Sequence, residues 1–465
     1  MGRRPSGPGF IVASRCVRHN QPVLSREDAP LCLCSPKRRF RICLVLVAFV
    51  LWAALAGAAE PLRLGLGDCR ARALDTAPAL RAAAADLEAG RLGVDIATAG
   101  FLPALRAEGG YLRSSVDQRG VPDFAANNGE NEYVARAVVS EPLYTGGALP
   151  AARSKARAEE VAAGHAVAAT RAEVLVTTDQ TYFSVLRAAQ RQTIAEEGRA
   201  VSRELLRAAE VRFRNGEVPA LDVGRLELEV AQASTTVDAT RADLAIARSE
   251  LGTLIGLAGA AFEVEPLPED EGPPSSESLD DIVGPALTAR PEVKRLEAEL
   301  QALESAVGLA HGARLPQVHA EAAGGYDSLT LPDRQNAGWD AGLTVSIPLW
   351  DWNILARRER IAGLEVEKAR QRLAAAKRAV TLEVTRRYLE ADLAHRRLAT
   401  TVQAERLAER NAETARKGYG LGLLSSLELI TAQRQATAAA SERAAAEFDQ
   451  RLARSQLDFA AGRLQ

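Results

Sequence analysis

The side chains that carry most enzyme chemistry are few and scattered in this chain. No metal-ligand spacing joins its five histidines, which are His19, His165, His311, His319 and His395. Cys32 and Cys34 are close enough to share a metal, but no second Cys or His pair follows them. We find neither a phosphate-binding glycine loop nor a nucleophile-elbow motif. The sequence therefore predicts a protein that is not an enzyme and that holds no cofactor and no metal.

Two acidic side chains stand out because each follows a glycine-containing turn at the same distance. Asp222 lies six residues after Gly216, and Glu428 lies six residues after Gly422. A carboxylate in the first turn of a helix stabilises the helix dipole, and this is one role open to both. The residues alone assign no further role to either side chain.

The same two turns belong to an internal repeat with four landmarks. Pro78 recurs as Pro291 and Leu102 as Leu315, at a shared spacing that we call the first offset. Pro142 recurs as Pro348 and Gly216 as Gly422, at a slightly shorter shared spacing that we call the second offset. The two offsets differ in the segment between the Leu-Pro and Pro-Leu landmarks, as expected for loops. The sequence therefore predicts two related halves, 60–260 and 280–465, joined by an acidic, Pro-rich linker at 261–279.

Low aromatic content and abundant alanine indicate long helices rather than a compact globular core. Aromatic residues make up 5% of the chain, whereas alanine, the residue with the highest helix propensity, runs through almost every segment. From Ala148 to Arg212 and from Ile354 to Lys417, apolar side chains recur at the three- and four-residue spacing of a helix, with almost no Pro or Gly. About 60 helical residues at ~1.5 Å each span roughly 90–100 Å.

A turn follows each long helix, and a second long helix follows each turn. Residues 213–219 contain an Asn-Gly dipeptide and a Pro that suits the first turn of a helix. Residues 418–426 are rich in Gly and end in Ser425 and Ser426, either of which can cap the next helix. The sequence therefore predicts two helical hairpins with tips in these two ranges.

Four shorter segments alternate apolar and polar residues, which is the pattern of strands with one apolar face. They cover 104–115, 132–141, 317–328 and 338–347. Such lengths fit the tilted strands of an outer-membrane barrel, and aromatic residues lie near their outer ends, where interface aromatics belong: Tyr111, Tyr133, Tyr326 and Trp339. Four strands cannot close a barrel alone, and the hydrocarbon region of a membrane does not tolerate open sheet edges. The four segments therefore predict an oligomer, in which three copies supply twelve strands. An ordinary soluble sheet with one buried face is the alternative.

The first 58 residues are typical of a leader with an export signal. A basic cluster at 37–41 precedes an apolar run from Ile42 to Leu55, and the small residues at 56–58 suit cleavage near 58/59. About 36 residues precede the basic cluster, which suggests a translation start further downstream. No Cys lies directly after the cleavage point, so we expect no N-terminal lipid. The alternative is a membrane anchor, for which the apolar run is barely long enough.

Together these features resemble the TolC-like outer-membrane factors, the outer membrane efflux protein family. The resemblance covers about Leu62 to Leu464. It rests on the duplicated Leu-Pro and Pro-Leu-aromatic landmarks, on residues 142–147 and 289–292, and on the Gly-to-acid spacing at both hairpin tips. It implies a trimer with a twelve-stranded β-barrel in the outer membrane and a long α-helical barrel in the periplasm. It also implies a passive exit duct for efflux or type I secretion that meets a periplasmic adaptor and an inner-membrane pump or ABC exporter.

The resemblance extends to particular positions at the tips. In the family, acidic residues ring a periplasmic entrance closed by the helix tips, and the matching positions here are Glu428 and, one helical turn later, Thr431. Thr431 is not an acid, so the resemblance supports one acidic ring and not a second. Asp222 is the equivalent in the first hairpin. Adaptor docking would involve the tip residues Gly216, Val218, Gly422 and Leu424, which also suit plain turns.

Two other classes of protein account for part of the pattern. A soluble periplasmic coiled-coil scaffold explains the long helices but not the four alternating strands at repeated positions. An outer-membrane lipase or protease needs a Ser-His-Asp set on its strands, and we find no such set in the sequence. The channel interpretation accounts for all of the features.

Overall fold

The structure, a computed structural model, describes residues 62–113, 131–266, 277–328 and 337–464. These ranges belong to one unit, Pro61–Gln465. The predicted leader therefore lies outside the described residues, as do Cys32 and Cys34. Cys69 lies inside them and is buried.

Within the described ranges the chain forms six strands and eight helices, and most of its residues are helical. In chain order they are β1 (Leu62–Leu64), α1 (Leu66–Thr76), α2 (Pro78–Ala99), β2 (Ala104–Arg113), β3 (Asn131–Tyr144), α3 (Ala148–Arg214), α4 (Ala220–Leu254), β4 (Phe262–Val264), α5 (Leu279–Ala289), α6 (Pro291–Gly312), β5 (Gln317–Ser328), β6 (Ala337–Ser346), α7 (Ile354–Gly420) and α8 (Ser426–Ala460).

The helices of the two halves correspond in both length and spacing. The pairs α1/α5 and α2/α6 have 11 and 22 residues, and their starts are separated by the first offset. The pairs α3/α7 and α4/α8 have 67 and 35 residues, and their starts are separated by the second offset. Each helical residue of one half therefore has a defined counterpart in the other. At ~1.5 Å per residue, α3 and α7 are each about 100 Å long.

Four strands form one antiparallel sheet in the order β2-β3-β5-β6. β5 has the bounds of its sequence pattern, and β6 begins and ends one residue before its pattern. The structure describes β2 as far as Arg113. β3 continues past its predicted end at position 141 to Tyr144, with an irregular register at Pro142, because proline has no N–H to donate to the ladder. Tyr111 and Tyr133 are paired across β2 and β3, with ring centroids 5.0 Å apart.

The helices form a layer in the same order as the sheet. In the half of α3 and α7 that adjoins the strands, α2 packs on α3, α3 on α6, and α6 on α7. In the distal half, α4 packs on α3, α3 on α8, and α8 on α7. β2 follows α2 and β6 precedes α7, so sheet and helices share their outermost elements. One edge of the layer comes from the first half of the chain and the other from the second.

A small parallel strand pair corrects the predicted linker. Residues 261–279 were expected to be a linker throughout, but Phe262–Val264 forms β4 and pairs with β1, with Leu62 opposite Phe262. The pair closes over the largest core cluster, where Tyr182, Leu251 and Ile255 are almost fully buried. The free energy gained by burying apolar side chains in this core therefore outweighs the turn-forming tendency of the linker residues that follow β4. Residues 267–276 of the predicted linker lie outside the described residues.

A buried ion pair lies beside this core. Asp179 of α3 is fully buried and accepts hydrogen bonds from Arg70 Nε at 2.7 Å and Nη2 at 2.6 Å. The hydroxyl of Ser455 in α8 donates a third hydrogen bond to the same carboxylate. Three donors satisfy a carboxylate that burial alone would destabilise. The contact joins α1, α3 and α8 midway along the long helices.

Candidate functional site

The first helical hairpin turns at Asn215–Pro219, between α3 and α4. Gly216 has φ of +76°, a left-handed conformation that suits glycine because it has no Cβ. Its N–H donates to the carbonyl of Phe213 at 2.9 Å, and the N–H of Glu217 donates to the carbonyl of Arg212 at 2.9 Å. Val218 is half-buried, and Gly216 is exposed at the tip. The first turn is therefore a tight reversal that leaves its backbone accessible.

The second hairpin turns between α7 and α8 with the same geometry. Gly422 has φ of +74° and is exposed. The N–H of Leu423 donates to the carbonyl of Gly418 at 2.8 Å. The side chain of Leu424 folds back into a small cluster with Tyr419 and Leu429. Leu424 is thus a packing residue within its own hairpin as well as a candidate docking residue.

The two serines at the start of α8 have different roles. Ser425 is the N-cap, and its hydroxyl accepts a hydrogen bond from the N–H of Glu428 at 3.3 Å. Ser426 is fully buried and donates from its hydroxyl to Oδ1 of Asp222, 2.6 Å away on α4. The sequence offered both serines as caps, and the structure assigns the cap to Ser425.

The three candidate gate residues lie in different surroundings. The Asp222 side chain is only 16% exposed, and Arg225 Nη1 lies 3.6 Å from the carboxylate oxygen that Ser426 contacts. Glu428 completes a capping box, because its carboxylate accepts from the backbone N–H of Ser425 at 2.8 Å and from the Ser425 hydroxyl at 2.9 Å. These hydrogen bonds lower the pKa of Glu428, whose carboxylate is exposed. Thr431 is exposed and donates to the carbonyl of Leu427 at 2.8 Å.

A second contact between the hairpins involves residues that the sequence analysis missed. Arg212 Nη1 donates to the carbonyl oxygen of Tyr419 at 2.6 Å, and its Nε donates to Glu217 at 3.1 Å. The guanidinium also lies over the Tyr419 ring, 5.0 Å from the centroid. Tyr419 is buried, and its hydroxyl has no hydrogen-bond partner among the described residues. Burial, and secondarily the charge of Asp222, raises the pKa of that hydroxyl. One signal was available in the sequence, since Tyr419 lies between two glycines where the first half has Phe213.

The distal halves of the hairpins are joined further from the tips. Arg434 of α8 contacts both Glu229 and Gln232 of α4. Arg416 Nη2 donates to Gln433 Oε1 at 2.6 Å, within the second hairpin. A groove of about 390 Å³ between α3, α4 and α8 adjoins these contacts, and hydroxyl and arginine side chains form much of its lining. Charged hydrogen bonds therefore join the two hairpins along this part of their length.

The described residues offer no cluster with metal-binding geometry. In those ranges, no group of three or more His, Cys, Asp and Glu side chains could hold a metal ion. His311 contacts Glu359 at 3.1 Å, and His395 contacts Gln450 at 3.2 Å. None of the described helices combines the length and the apolar character that a membrane-spanning helix requires.

The chain combines a layer of long helices, built from two related halves, with an antiparallel sheet whose outermost strands adjoin the outermost helices. This is the architecture of an outer-membrane channel subunit. The chain belongs to the outer membrane efflux protein family, whose model matches residues 70–257 and 282–463. The two matched segments correspond to the two repeats. The protein is accordingly an outer-membrane protein of a family whose members are channels.

Individual relatives agree with this assignment. The chain is 25% identical over 420 residues to the alkaline protease secretion protein AprF of Pseudomonas aeruginosa, covering 86% of this chain and 84% of AprF. Its fold is similar to that of CusC, with a TM-score of 0.76, 18% identity and coverage of 85% and 92%. The Campylobacter jejuni channel CmeC gives a TM-score of 0.73, 18% identity and coverage of 85% of each chain.

Proposed function

We propose that this protein is the exit duct of a tripartite export apparatus, that it works as a trimer, and that it conducts passively from the periplasm to the exterior. Its partners are a periplasmic adaptor and an inner-membrane pump or ABC exporter. The observation that carries the proposal is the pair of open edges shared by the sheet and the helical layer. In the described part of the chain, β2 and β6 each have one unpaired side.

Closing both layers requires other copies of the chain. Because the two edges come from different halves, each copy offers its β2 edge to the β6 edge of the next, which is a head-to-tail contact that can close a ring. Two copies give eight strands, and side chains fill the interior of an eight-stranded barrel. Three copies give twelve, within the range of outer-membrane barrels and wide enough for a passage.

The helices have complementary edges as well. α7 carries sixteen Lys and Arg against nine Asp and Glu, whereas α4 carries three Arg against six Asp and Glu. Both helices also expose large apolar side chains, which are Leu221, Leu228 and Ile246 on α4 and Ile361, Leu364, Leu382, Leu389, Leu393 and Leu407 on α7. A basic apolar edge and an acidic apolar edge favour contact between different copies.

The gate of the duct is the end formed by the two hairpin tips. Support comes from the two contacts that hold the tips together, Ser426 to Asp222 and Arg212 to Tyr419. Opening an entrance there means moving one hairpin away from the other, so these contacts stabilise the closed state. Glu428, one per copy, supplies an exposed carboxylate near the entrance that favours cations. Adaptor docking uses the hairpin tips, where Gly216 and Gly422 are exposed and Val218 and Leu424 are half-buried.

The cargo belongs to one of two classes. It consists of small molecules if the partner is an efflux pump, and of proteins if the partner is a secretion exporter. The name of AprF, an alkaline protease secretion protein, supports the second class.

The first test is the mass and conductance of the mature protein. We would express the chain from Ala59 behind an outer-membrane signal, purify it from outer membranes in mild detergent, and measure its mass by light scattering. We would then record conductance in planar bilayers. The proposal predicts a trimer that inserts and conducts weakly. A detergent-independent monomer without conductance would instead support the soluble periplasmic scaffold.

A further inference from the structure

Three arginines converge on a crevice that lies away from the hairpin tips. The crevice has a volume of about 480 Å³ and is formed by α3, α7 and α8, just beyond the middle of the long helices. Arg187 and Arg191 of α3 and Arg397 of α7 line it, together with Ser441 and Glu442 of α8. All three arginines are exposed. The crevice therefore gathers guanidinium groups where dissolved molecules can reach them.

These guanidinium groups keep most of their hydrogen-bonding capacity free. Arg187 Nη1 lies 3.6 Å from Asp449 Oδ1, and Arg397 Nη1 lies 3.7 Å from Oδ2 of the same carboxylate. Both distances exceed the ~2.7–2.9 Å of a charged hydrogen bond. Within the described ranges Arg191 makes no ion pair, and none of the three arginines donates a side-chain hydrogen bond. A guanidinium has several N–H donors in a planar fork, which matches two oxygens of one oxyanion.

The internal repeat shows which face of the helical layer the arginines occupy. Arg397 is the counterpart of Arg191 at the second offset, and Tyr388 is the counterpart of Tyr182. Tyr182 belongs to the core beneath α1, and Tyr388 packs against the core cluster that contains residues of α5. In each half the arginine follows the tyrosine by nine residues. Nine residues are about two and a half helical turns, so arginine and tyrosine lie on opposite sides of the helix.

The crevice consequently opens on the face of the layer that α1 and α5 leave uncovered. Because Arg191 and Arg397 line the same crevice, α1 and α5 both pack on the other face, α1 on α3 and α5 on α7. In the duct proposed above, that covered face is the outside, since elements packed on the inside would fill the passage. The crevice of each copy then faces the passage.

We propose that this crevice is an oxyanion-binding site, in which Arg187, Arg191 and Arg397 bind a carboxylate, phosphate or sulfate group of material in the passage. Its position in the passage rests on the proposed function, whereas binding itself requires only the geometry of one chain. The hydroxyl of Ser441 supplies a further donor at the crevice wall. A ring of copies presents several such sites to one passage, so a ligand with many carboxylates binds more tightly than one with a single group.

Carboxylates around the crevice limit its affinity for anions. Asp449 lies between two of the arginines and competes with a bound oxyanion. Glu442 in the lining, and Asp243 and Glu250 in the adjoining hollow that α4 forms with α3, repel it. Arg191 makes an ion pair with none of these carboxylates within the described ranges. Binding should therefore depend strongly on Arg191 and should tighten when Asp449 loses its charge.

Isothermal titration calorimetry of the purified full-length mature protein in mild detergent tests the site. The probes are inorganic phosphate and a short polyglutamate peptide, titrated separately at low ionic strength, where charges are little screened. Arg191→Gln should weaken the binding of polyglutamate about tenfold, because it removes charged hydrogen bonds. Arg191→Lys should weaken it less, since lysine keeps the charge but not the planar fork. Asp449→Asn should bind the peptide several-fold more tightly than the unsubstituted protein.

Arg207→Gln is the matched control for these variants. Arg207 is exposed on the same helix and follows Arg191 by sixteen residues, which places it on nearly the opposite side of α3. Its substitution should leave the affinity for both probes unchanged. Circular dichroism should show the same helical content in all variants, because every substituted arginine is exposed.

The outcomes separate the site from the duct. An unsubstituted protein that binds neither probe, or equal losses in Arg191→Gln and Arg207→Gln, would overturn the site. Tighter binding of polyglutamate than of phosphate would support the site and identify carboxylates of a cargo chain as its ligand. Binding of phosphate alone would support it with a small free oxyanion as the ligand. Light scattering of the same samples tests the duct independently: a trimer that does not bind keeps the duct without the site, and a monomer that binds keeps the site without the passage.

Discussion

The hydroxyl of Ser426 lies 2.6 Å from Oδ1 of Asp222, although 204 residues separate them in the chain. Each belongs to the first turn of the helix that leaves a hairpin tip, so one hydrogen bond joins the two tips side by side. Ser426 is fully buried, and the Asp222 side chain is only 16% exposed. Water therefore competes poorly with this contact, and loss of the hydroxyl leaves a half-buried carboxylate short of a donor.

Ser426→Ala should raise the conductance of the resting channel. The substitution removes the donor to Asp222 and weakens the contact between the hairpins by about 1–3 kcal/mol, since the acceptor is charged. Single-channel recording in planar bilayers would measure the change. Ser425→Ala is the matched control because it removes a helix cap, worth about 1 kcal/mol, without touching the other hairpin. Equal conductance changes in both variants would contradict a gating role for Ser426.

Arg212→Gln should act in the same direction. It removes the charged hydrogen bond to the Tyr419 carbonyl and the contact with the ring, so the resting conductance should rise. Tyr419→Phe should leave the conductance unchanged and keep or raise thermal stability, because the hydroxyl is buried without a partner among the described residues. Conductance recording and thermal unfolding would measure the two effects. A channel opened by Tyr419→Phe would show that this hydroxyl contacts something across the entrance.

The ion selectivity of the channel should depend on Glu428 and persist in mild acid. The hydrogen bonds from Ser425 lower the pKa of Glu428 below its ordinary 4.5. A lowered folded-state pKa means that the stabilising contribution of the carboxylate is present above the unfolded pKa and is lost as pH falls through the folded one. Reversal potentials across a salt gradient, measured from neutral pH down to about pH 3, should lose cation preference only at the acidic end.

Two variants check this assignment. Glu428→Gln should remove the pH-dependent part of the selectivity. Ser425→Ala should move the loss of selectivity to higher pH, because it removes the hydroxyl that helps to hold the ionised carboxylate. If Ser425→Ala does not change the pH at which cation selectivity is lost, another group near the entrance titrates.

Breaking the buried ion pair should destabilise the middle of the subunit without opening the proposed gate. Arg70→Ala leaves Asp179, which is fully buried, with only the Ser455 hydroxyl as a donor. Because the Arg70 side chain is about one-third exposed, we expect a loss of roughly 2–3 kcal/mol, at or below the low end for buried pairs. Thermal unfolding followed by circular dichroism would measure it. Ser455→Ala should cost about 1 kcal/mol. A stable Arg70→Ala protein would indicate that water replaces the guanidinium.

Charges on the exposed face of α7 should prevent assembly without unfolding the helices. Leu389 and Leu393 are 58% and 65% exposed in the single chain, yet the repeat counterpart of Leu389 is the buried Phe183. Leu389→Asp with Leu393→Asp should therefore convert the proposed trimer to monomers, as measured by light scattering, with helical circular dichroism retained. Val161→Asp is the control, since Val161 is similarly exposed but lies on α3, an inner helix of the layer. Equal loss of the trimer in both variants would argue against an interface specific to α7.

Periodicity in the sequence located the long helices and the four strands, because backbone pairing and one-sided burial impose spacings that the chain itself displays. The recurring landmarks gave the first and second offsets, and the same two offsets separate the helix starts in the structure. Composition was a poorer guide at 261–279, where the short strand Phe262–Val264 pairs with β1 at the far end of the first half. A three-residue strand shows no period, and its partner is remote in the chain.

At the tips, the sequence by itself determined two hairpins, their turn glycines and an acid six residues after each glycine. Only the tertiary structure decided which side chains of the two hairpins face one another: Ser426 with Asp222, and Arg212 with Tyr419. The reason is physical. A turn or a cap is complete within a few residues, so residue types and spacing reveal it. A contact between two hairpins depends on how α3 packs against α8 over tens of ångströms, and no local pattern encodes that alignment.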